Sequence, residues 1–159
     1  MNVSLAIAPV RKSIRVHASI AHAFETFTSG LPRWWPANHG IGKKPIKKVA
    51  MEPRLGGRWF ETAEDGTETT VATIILWEPP NRFTMVWQVN AQWKPDATMK
   101  SEVDVTFTAE GPDTTLVELV HHKFETMGAE GGAKMRSDVN GGWPGHIERF
   151  AKEAERAAK

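Results

Sequence analysis

The chain contains no cysteine and no tyrosine among its 159 residues. The absence of cysteine excludes disulfide bonds, thiolate nucleophiles and cysteine-ligated metals, and it is typical of a reducing compartment. No apolar run approaches the about 18–20 residues that cross a bilayer. The N-terminal segment MNVSLAIAPVRKSIRV lacks the basic start and the full-length apolar stretch of a signal peptide. We therefore expect a cytoplasmic protein with no membrane span.

The chain also lacks an excess of charge of either sign. Its 20 basic and 19 acidic residues give a net charge of +1, whereas a dedicated nucleic-acid binder should be plainly positive. The local exception is KKPIKK (43–48), with four lysines in six residues. We interpret this segment as a solvated strand edge protected by lysines. The charge pattern predicts no nucleic-acid partner.

Tryptophan is unusually frequent, with seven copies. An indole supplies a large apolar area and a single N–H donor, so tryptophan suits both a packed core and a pocket for apolar ligands. Composition does not choose between these two uses.

Alternating apolar and polar residues predict seven β-strands. The first lies over 10–17, and six more follow between residues 45 and 122, separated by turn signals such as EDGT, EPPN and EGPDT. Alternation places Val117, Leu119 and His121 on the inner face of the last strand. The strands predict a one-sided antiparallel sheet that needs a cover for its apolar face.

Helical spacing predicts that cover. After the first strand, Ser19 occupies an N-cap position before a short apolar-periodic helix, and SGLPRWWP predicts a second short turn through Trp34 and Trp35. At the C-terminus, Trp143, Ile147 and other apolar residues form one stripe. Because Pro144 suits the first turn of a helix, we expect the long helix to start near 143, after a shorter piece at 132–139.

The stretch EPRLGGRWFE (52–61) leaves one question open. Its two glycines suit a bend into a curved sheet, and Trp59 and Glu61 share one face of the strand that follows. Either both face inward, as an aromatic wall with one polar group, or the strand is an edge with Glu61 in water.

Histidine spacing predicts no metal site. The six histidines show no HExxH or other ligand pattern, and the adjacent His121 and His122 must point to opposite faces of their strand. Two interpretations of His121 remain, a hydrogen-bonded core histidine or a ligand contact.

An ordered set of motifs covers nearly the whole chain: WWP (34–36), EPRLGGRWFE (52–61), WEPPNRFTMVW (77–87), SEVDVTFT (101–108), LVELVHHKFE (116–125) and GGWPGHIERFA (141–151). With these motifs the sequence resembles the SRPBCC (START-like) superfamily. Within that superfamily it resembles the group named for the activator of the 90-kDa heat-shock protein ATPase.

The resemblance implies an α+β helix-grip fold. In this fold a curved antiparallel sheet of about six or seven strands wraps around a long C-terminal helix, and two short helices follow the first strand. Residues 1–159 would form a single domain of this type. Such folds often hold an elongated apolar cavity for lipids, sterols or aromatic polyketides, whereas most bacterial members of this group have no assigned ligand.

Three functions follow as hypotheses. The preferred one is a binding domain for an apolar or amphipathic small molecule, lipid-like or aromatic. It would use an aromatic wall and two polar groups, Glu61 and His121, and the candidate wall residues are Trp35, Trp59, Met85, Trp87, Phe124 and Trp143.

The second hypothesis is an enzyme that uses Glu61 and His121 as acid and base in the same cavity. The third is an interaction domain that modulates a chaperone or another ATPase, with an exposed docking patch. We predict no catalytic residue, no cofactor and no metal. The hypothetical partner is a hydrophobic small molecule, the protein partner is unassigned, and the expected assembly is a monomer or homodimer.

Overall fold

A computed structural model describes residues 7–36 and 46–156. Its helices are α1 (Ile20–Phe27) and α2 (Ala129–Arg156), with 3-10 turns at Leu31–Arg33 and Phe124–Met127. Its strands are β1 (Val10–Val16), β2 (Ile46–Met51), β3 (Arg58–Ala63), β4 (Glu68–Glu78), β5 (Arg82–Trp87), β6 (Ser101–Gly111) and β7 (Thr114–His122).

The strands form one antiparallel sheet of seven strands in the order β1-β7-β6-β5-β4-β3-β2. Register shifts interrupt the β2–β3, β3–β4, β4–β5 and β6–β7 pairings, and such bulges bend a sheet and increase its twist. The long helix α2 covers the inner face. The helix-grip prediction is confirmed, including the two short helical segments after β1.

The inner face follows the predicted alternation. Val117, Leu119 and His121 of β7 are buried, and so are Phe83 and Met85 of β5. On the edge strand β2, Lys47 and Lys48 are exposed, whereas residues 43–45 of KKPIKK lie outside the described residues. No helix in the described ranges is long and apolar enough to cross a membrane.

The first helical region differs in detail from its prediction. The Ser19 side chain accepts the backbone N–H of His22, which confirms the N-cap. The second turn comes earlier than predicted, at Leu31–Arg33, because Pro32 sits in its first turn, where its missing N–H costs little. Trp34 caps this turn and donates its indole N–H to the Thr26 carbonyl at 2.8 Å.

The prediction of two C-terminal helical pieces is wrong. A single helix spans Ala129–Arg156, with Pro144 in its interior. Met135, Val139 and Trp143 are buried at helical spacing on both sides of the expected break. Helices in proteins are stabilised mainly by packing of an apolar face, and here that packing outweighs the cost of the proline.

The turn that precedes β3 requires its glycines. Gly56 has a φ of +80°, and a Cβ on Gly57 would lie 2.2 Å from the Glu52 carbonyl oxygen. Gly56 donates its N–H to the Ile74 carbonyl, and Ile74 donates to that of Gly57, so the turn is fastened to β4. This turn sets where Trp59 enters the sheet.

Candidate functional site

Both Trp59 and Glu61 face inward. Trp59 is 2% exposed and Glu61 is 4% exposed, which settles the question that the alternation of EPRLGGRWFE left open. β3 is not an edge strand, because β2 pairs with its outer side. Glu61 is therefore a buried carboxylate in the interior of the fold.

Strand register places the two inner tryptophans of the sheet in one row. Trp59 pairs with Ala72, Ala72 pairs with Trp87, and Trp87 pairs with Ser101. All four residues are buried. Because neighbouring strands lie about 4.8 Å apart, the small Ala72 leaves the space above it to the two flanking indoles.

Four indoles form a closed cycle above this row. The ring centroids are 4.5 Å apart for Trp35 and Trp59, 5.5 Å for Trp59 and Trp87, 5.9 Å for Trp87 and Trp143, and 6.2 Å for Trp143 and Trp35. Trp35 is only half-buried, and the His146 ring stacks on it at 4.0 Å. The cycle thus runs from the sheet through α2 to the protein surface.

His121 is a fully buried histidine whose two ring nitrogens both have neighbours. Trp143 Nε1–H donates to His121 Nδ1 at 3.3 Å, and His121 Nε2 lies 3.3 Å from Ser101 Oγ. Burial first of all, and then the charge of the neighbouring His122, lower the His121 pKa from 6.5 to about 3. The imidazole is therefore neutral near pH 7, and the proton lies on Nε2 because an indole can only donate to Nδ1.

Phe124 supports His121. Its ring is fully buried and lies 4.6 Å from the imidazole, immediately after β7. The neutral tautomer, both hydrogen-bond neighbours and the Phe124 contact hold the imidazole in one orientation. These contacts satisfy the hydrogen-bonding needs of a core histidine.

Met85 lies apart from Glu61, although it shares a cross-strand row with Val103 and His121. It pairs with Ile74, on the opposite side of the Trp59–Ala72–Trp87 row from Glu61, which pairs with Thr69. Beyond Met85 a cluster of phenylalanines packs ring on ring between the sheet and the helices. This phenylalanine cluster consists of Phe24, Phe27, Phe83, Phe107 and Phe150.

The buried tryptophans differ in what their N–H groups bind. The indoles of Trp34 and Trp143 donate to Thr26 and His121. The Nε1 atoms of Trp59 and Trp87 are buried and have no hydrogen-bond partner among the described residues. Buried N–H groups without partners are rare in proteins.

Two polar features of the outer surface were missed from the sequence. Glu102, Asp104 and His122 bring their ligand atoms within 4.8 Å of one another, and His122 Nε2 lies 2.8 Å from an Asp104 carboxylate oxygen. Carboxylates and imidazole are metal ligands, and here Lys123 pairs with Glu102 at 2.8 Å and partly offsets the charge of the two carboxylates. Alternation indicates that these side chains face outward, and only cross-strand register brings them together.

The second outer feature is a surface pocket of about 410 Å³, lined by Arg58, Glu68, Thr69, Thr70, Thr73, Gln88, Pro95, Asp96 and Ala97. It lies on the face of the sheet away from α2. It is therefore not the apolar cavity that the resemblance implied.

Comparisons with known proteins point to one family. Residues 17–155 match the model of the Activator of Hsp90 ATPase homologue 1-like proteins. No match is found among curated proteins.

Two solved structures combine high coverage with substantial identity. One is the anthrahydroquino-gamma-pyrone synthase Txn09, with 39% identity, a TM-score of 0.64 and coverage of 92% of this chain and 97% of that one. The other is the self-sacrificing resistance protein CalC from Micromonospora echinospora, with 34% identity, a TM-score of 0.70 and coverage of 95% and 97%. The Aha1 dimer from Colwellia psychrerythraea shares the fold at 14% identity and a TM-score of 0.64, with coverage of 94% and 97%.

Proposed function

The chain belongs to the Activator of Hsp90 ATPase homologue 1-like family, and from that premise we propose that it binds a small aromatic or amphipathic molecule at the tryptophan cycle. The observation that carries this proposal is the division of the interior into two ends. The phenylalanine cluster, joined by Trp34 and Trp77, fills one end, whereas the four indoles of the tryptophan cycle gather at the other, where half-buried Trp35 reaches the surface. Binding sites for small molecules combine such apolar walls with few polar groups.

One relative favours an aromatic ligand. The name of the 39% identical protein describes the synthesis of an anthrahydroquino-gamma-pyrone, which is a fused aromatic compound. For this chain, the eight residues Trp35, Trp59, Glu61, Met85, Trp87, His121, Phe124 and Trp143 remain the predicted ligand contacts. Of these, Met85 borders the phenylalanine cluster and forms the inner limit of the proposed site.

The enzyme hypothesis gains no support from the acid–base pair on which it depended. Glu61 lies on β3 and His121 on β7, with β4, β5 and β6 between them in the sheet. The His121 nitrogens already have Trp143 and Ser101 as neighbours. An interaction with a chaperone stays a prediction.

The proposal is tested by a thermal-shift screen with fatty acids, sterols, flavonoids and anthraquinones. A ligand at about 100 times its Kd adds about 2.7 kcal/mol of stability, which raises the Tm of a chain of this size by about 5–10 °C. Trp87→Phe should reduce this shift, because Trp87 borders two other indoles of the cycle. Trp77→Phe is the matched control, since Trp77 contacts Phe24 and Phe83 at the other end.

If none of the four ligand classes shifts the Tm, the binding proposal fails. The chaperone-interaction hypothesis would then be tested next, by titrating the purified protein against an Hsp90-type ATPase.

A further inference from the structure

The unpartnered N–H groups of two indoles indicate which chemical group the ligand presents. We propose that Trp59 and Trp87 donate their N–H groups to an acceptor oxygen on the edge of a planar aromatic ligand, such as a ring carbonyl. This inference rests on the proposed function and deepens it, because it assigns specificity to two named atoms. The ligand class is a planar, carbonyl-bearing polycyclic aromatic.

Burial makes these donors selective. Trp59 is 2% exposed and Trp87 is 3% exposed, and their Nε1 atoms have no acceptor in the described part of the chain. Leaving a buried donor unpaired costs free energy, whereas pairing it with a ligand acceptor recovers that cost. A molecule without an acceptor would leave both donors unpaired, so the site should discriminate against it.

The sheet places both donors in the same part of the interior. Trp59 and Trp87 flank Ala72 in one cross-strand row, and their ring centroids are 5.5 Å apart. Between the two indoles in this row, β4 contributes only the methyl side chain of Ala72. In the proposed complex one small planar group contacts both indoles.

Ser101 extends the row with a third donor. It pairs with Trp87 in the register, and the neutral His121 donates Nε2–H to its hydroxyl oxygen. The Ser101 hydroxyl hydrogen then has no acceptor within the described ranges. The row thus offers hydrogen-bond donors, a polarity that suits carbonyl and phenolate oxygens.

A packing explanation competes with this inference. Trp59 lies edge to face against Trp35 and Trp87, so its N–H could point at a ring face. Such N–H···π contacts are weak, and they predict no preference between ligands with and without an acceptor. The two explanations therefore differ in a measurable ratio.

The experiment compares 9-fluorenone with fluorene, which share a planar three-ring skeleton and differ by one carbonyl oxygen. Isothermal titration calorimetry measures both affinities for the wild type, Trp59→Phe and Trp87→Phe. Phenylalanine keeps an aromatic ring and removes the N–H. We expect each substitution to lower the fluorenone-to-fluorene affinity ratio by about tenfold, the effect of one buried hydrogen bond.

The Ala72→Val variant distinguishes the effect of the room available to the ligand from the effect of the hydrogen bonds. The added methyl groups lie between the two indoles and should weaken both probes, leaving their ratio unchanged. Trp77→Phe should change neither affinity, and the Tm of every variant confirms that it folds.

The outcomes distinguish the two proposals. If both probes bind and the ratio is the same in the wild type and both tryptophan variants, the donor inference is overturned and the binding site stands. If neither probe binds, the inference is overturned, because it commits to a planar carbonyl ligand. In that case the proposed function still stands, unless the thermal-shift screen is negative as well.

Discussion

Acidification should destabilise this protein well before its carboxylates become protonated, because His121 must be neutral in the folded state. Its folded pKa is about 3, against 6.5 for an unperturbed histidine. The unfolded chain therefore binds a proton between these values while the folded chain does not. The stability contributed by neutral His121 is complete above pH 6.5 and is lost as the pH falls from 6.5 towards 3.

The magnitude follows from linkage. One proton taken up only by the unfolded state costs about 1.4 kcal/mol per pH unit inside this window. Between pH 7.5 and pH 5 the free energy of unfolding should fall by about 2 kcal/mol through His121 alone. Glu52, Asp138 and Glu153 have lowered pKa values, through hydrogen bonds first of all, so their stabilisation is lost only at lower pH.

The assay is urea denaturation of the wild type and His121→Gln at pH 7.5, 6.5, 5.5 and 5. The substitution should remove most of the pH dependence, whereas the exposed His17→Gln should retain it. NMR titration of the wild-type imidazole gives a direct second measurement, and the His121 signals should not shift between pH 7.5 and 5. An imidazole that titrates near pH 6.5, or an unchanged slope in His121→Gln, would refute the reasoning.

Four further predictions concern the stability of the folded chain. Truncation after Gly142 removes the C-terminal half of the buried stripe on α2, and thermal denaturation should then show no cooperative transition; a cooperative melt would contradict the role of α2 as the cover of the sheet. Gly141→Ala should raise the free energy of unfolding by about 0.5–1 kcal/mol, since its Cβ meets no atom within 4 Å. Gly132→Ala should lower the free energy of unfolding, because its Cβ would lie 2.2 Å from a backbone carbonyl; equal effects of the two substitutions in urea denaturation would contradict this. Trp34→Phe should cost about 1 kcal/mol more than Trp87→Phe in the same assay, because only Trp34 loses an indole hydrogen bond, and equal costs would show that the Trp87 N–H is also paired.

The sequence was sufficient for the seven strands, the first helix and most inward-facing residues. A strand has a side-chain period of two, so the alternation in β5 and β7 identified Met85, Trp87, Leu119 and His121 as one-sided. Ser19 predicted its N-cap because its hydroxyl satisfies a local backbone N–H. These signals depend on neighbours along the chain, and they are readable without the fold.

Two predictions failed or stayed open because the deciding interactions are long-range. Pro144 locally favours a helix start, but the buried stripe on both sides of it holds α2 continuous. Trp59 and Glu61 share a face by alternation, and only their burial and the packing of Trp35 on Trp59 show that this face is interior. A local sequence pattern specifies which side chains share a face, whereas the burial of that face depends on which other elements pack against it.

The candidate site was decided by register and hydrogen bonding. The sequence identifies seven tryptophans but not which of them meet. Cross-strand pairing across β3, β4 and β5 places Ala72 between Trp59 and Trp87, and α2 brings Trp143 to His121. Whether an indole N–H finds an acceptor depends on residues far away in the sequence. Only the tertiary structure therefore distinguishes Trp143, whose N–H is paired, from Trp59 and Trp87, whose N–H groups are unpartnered.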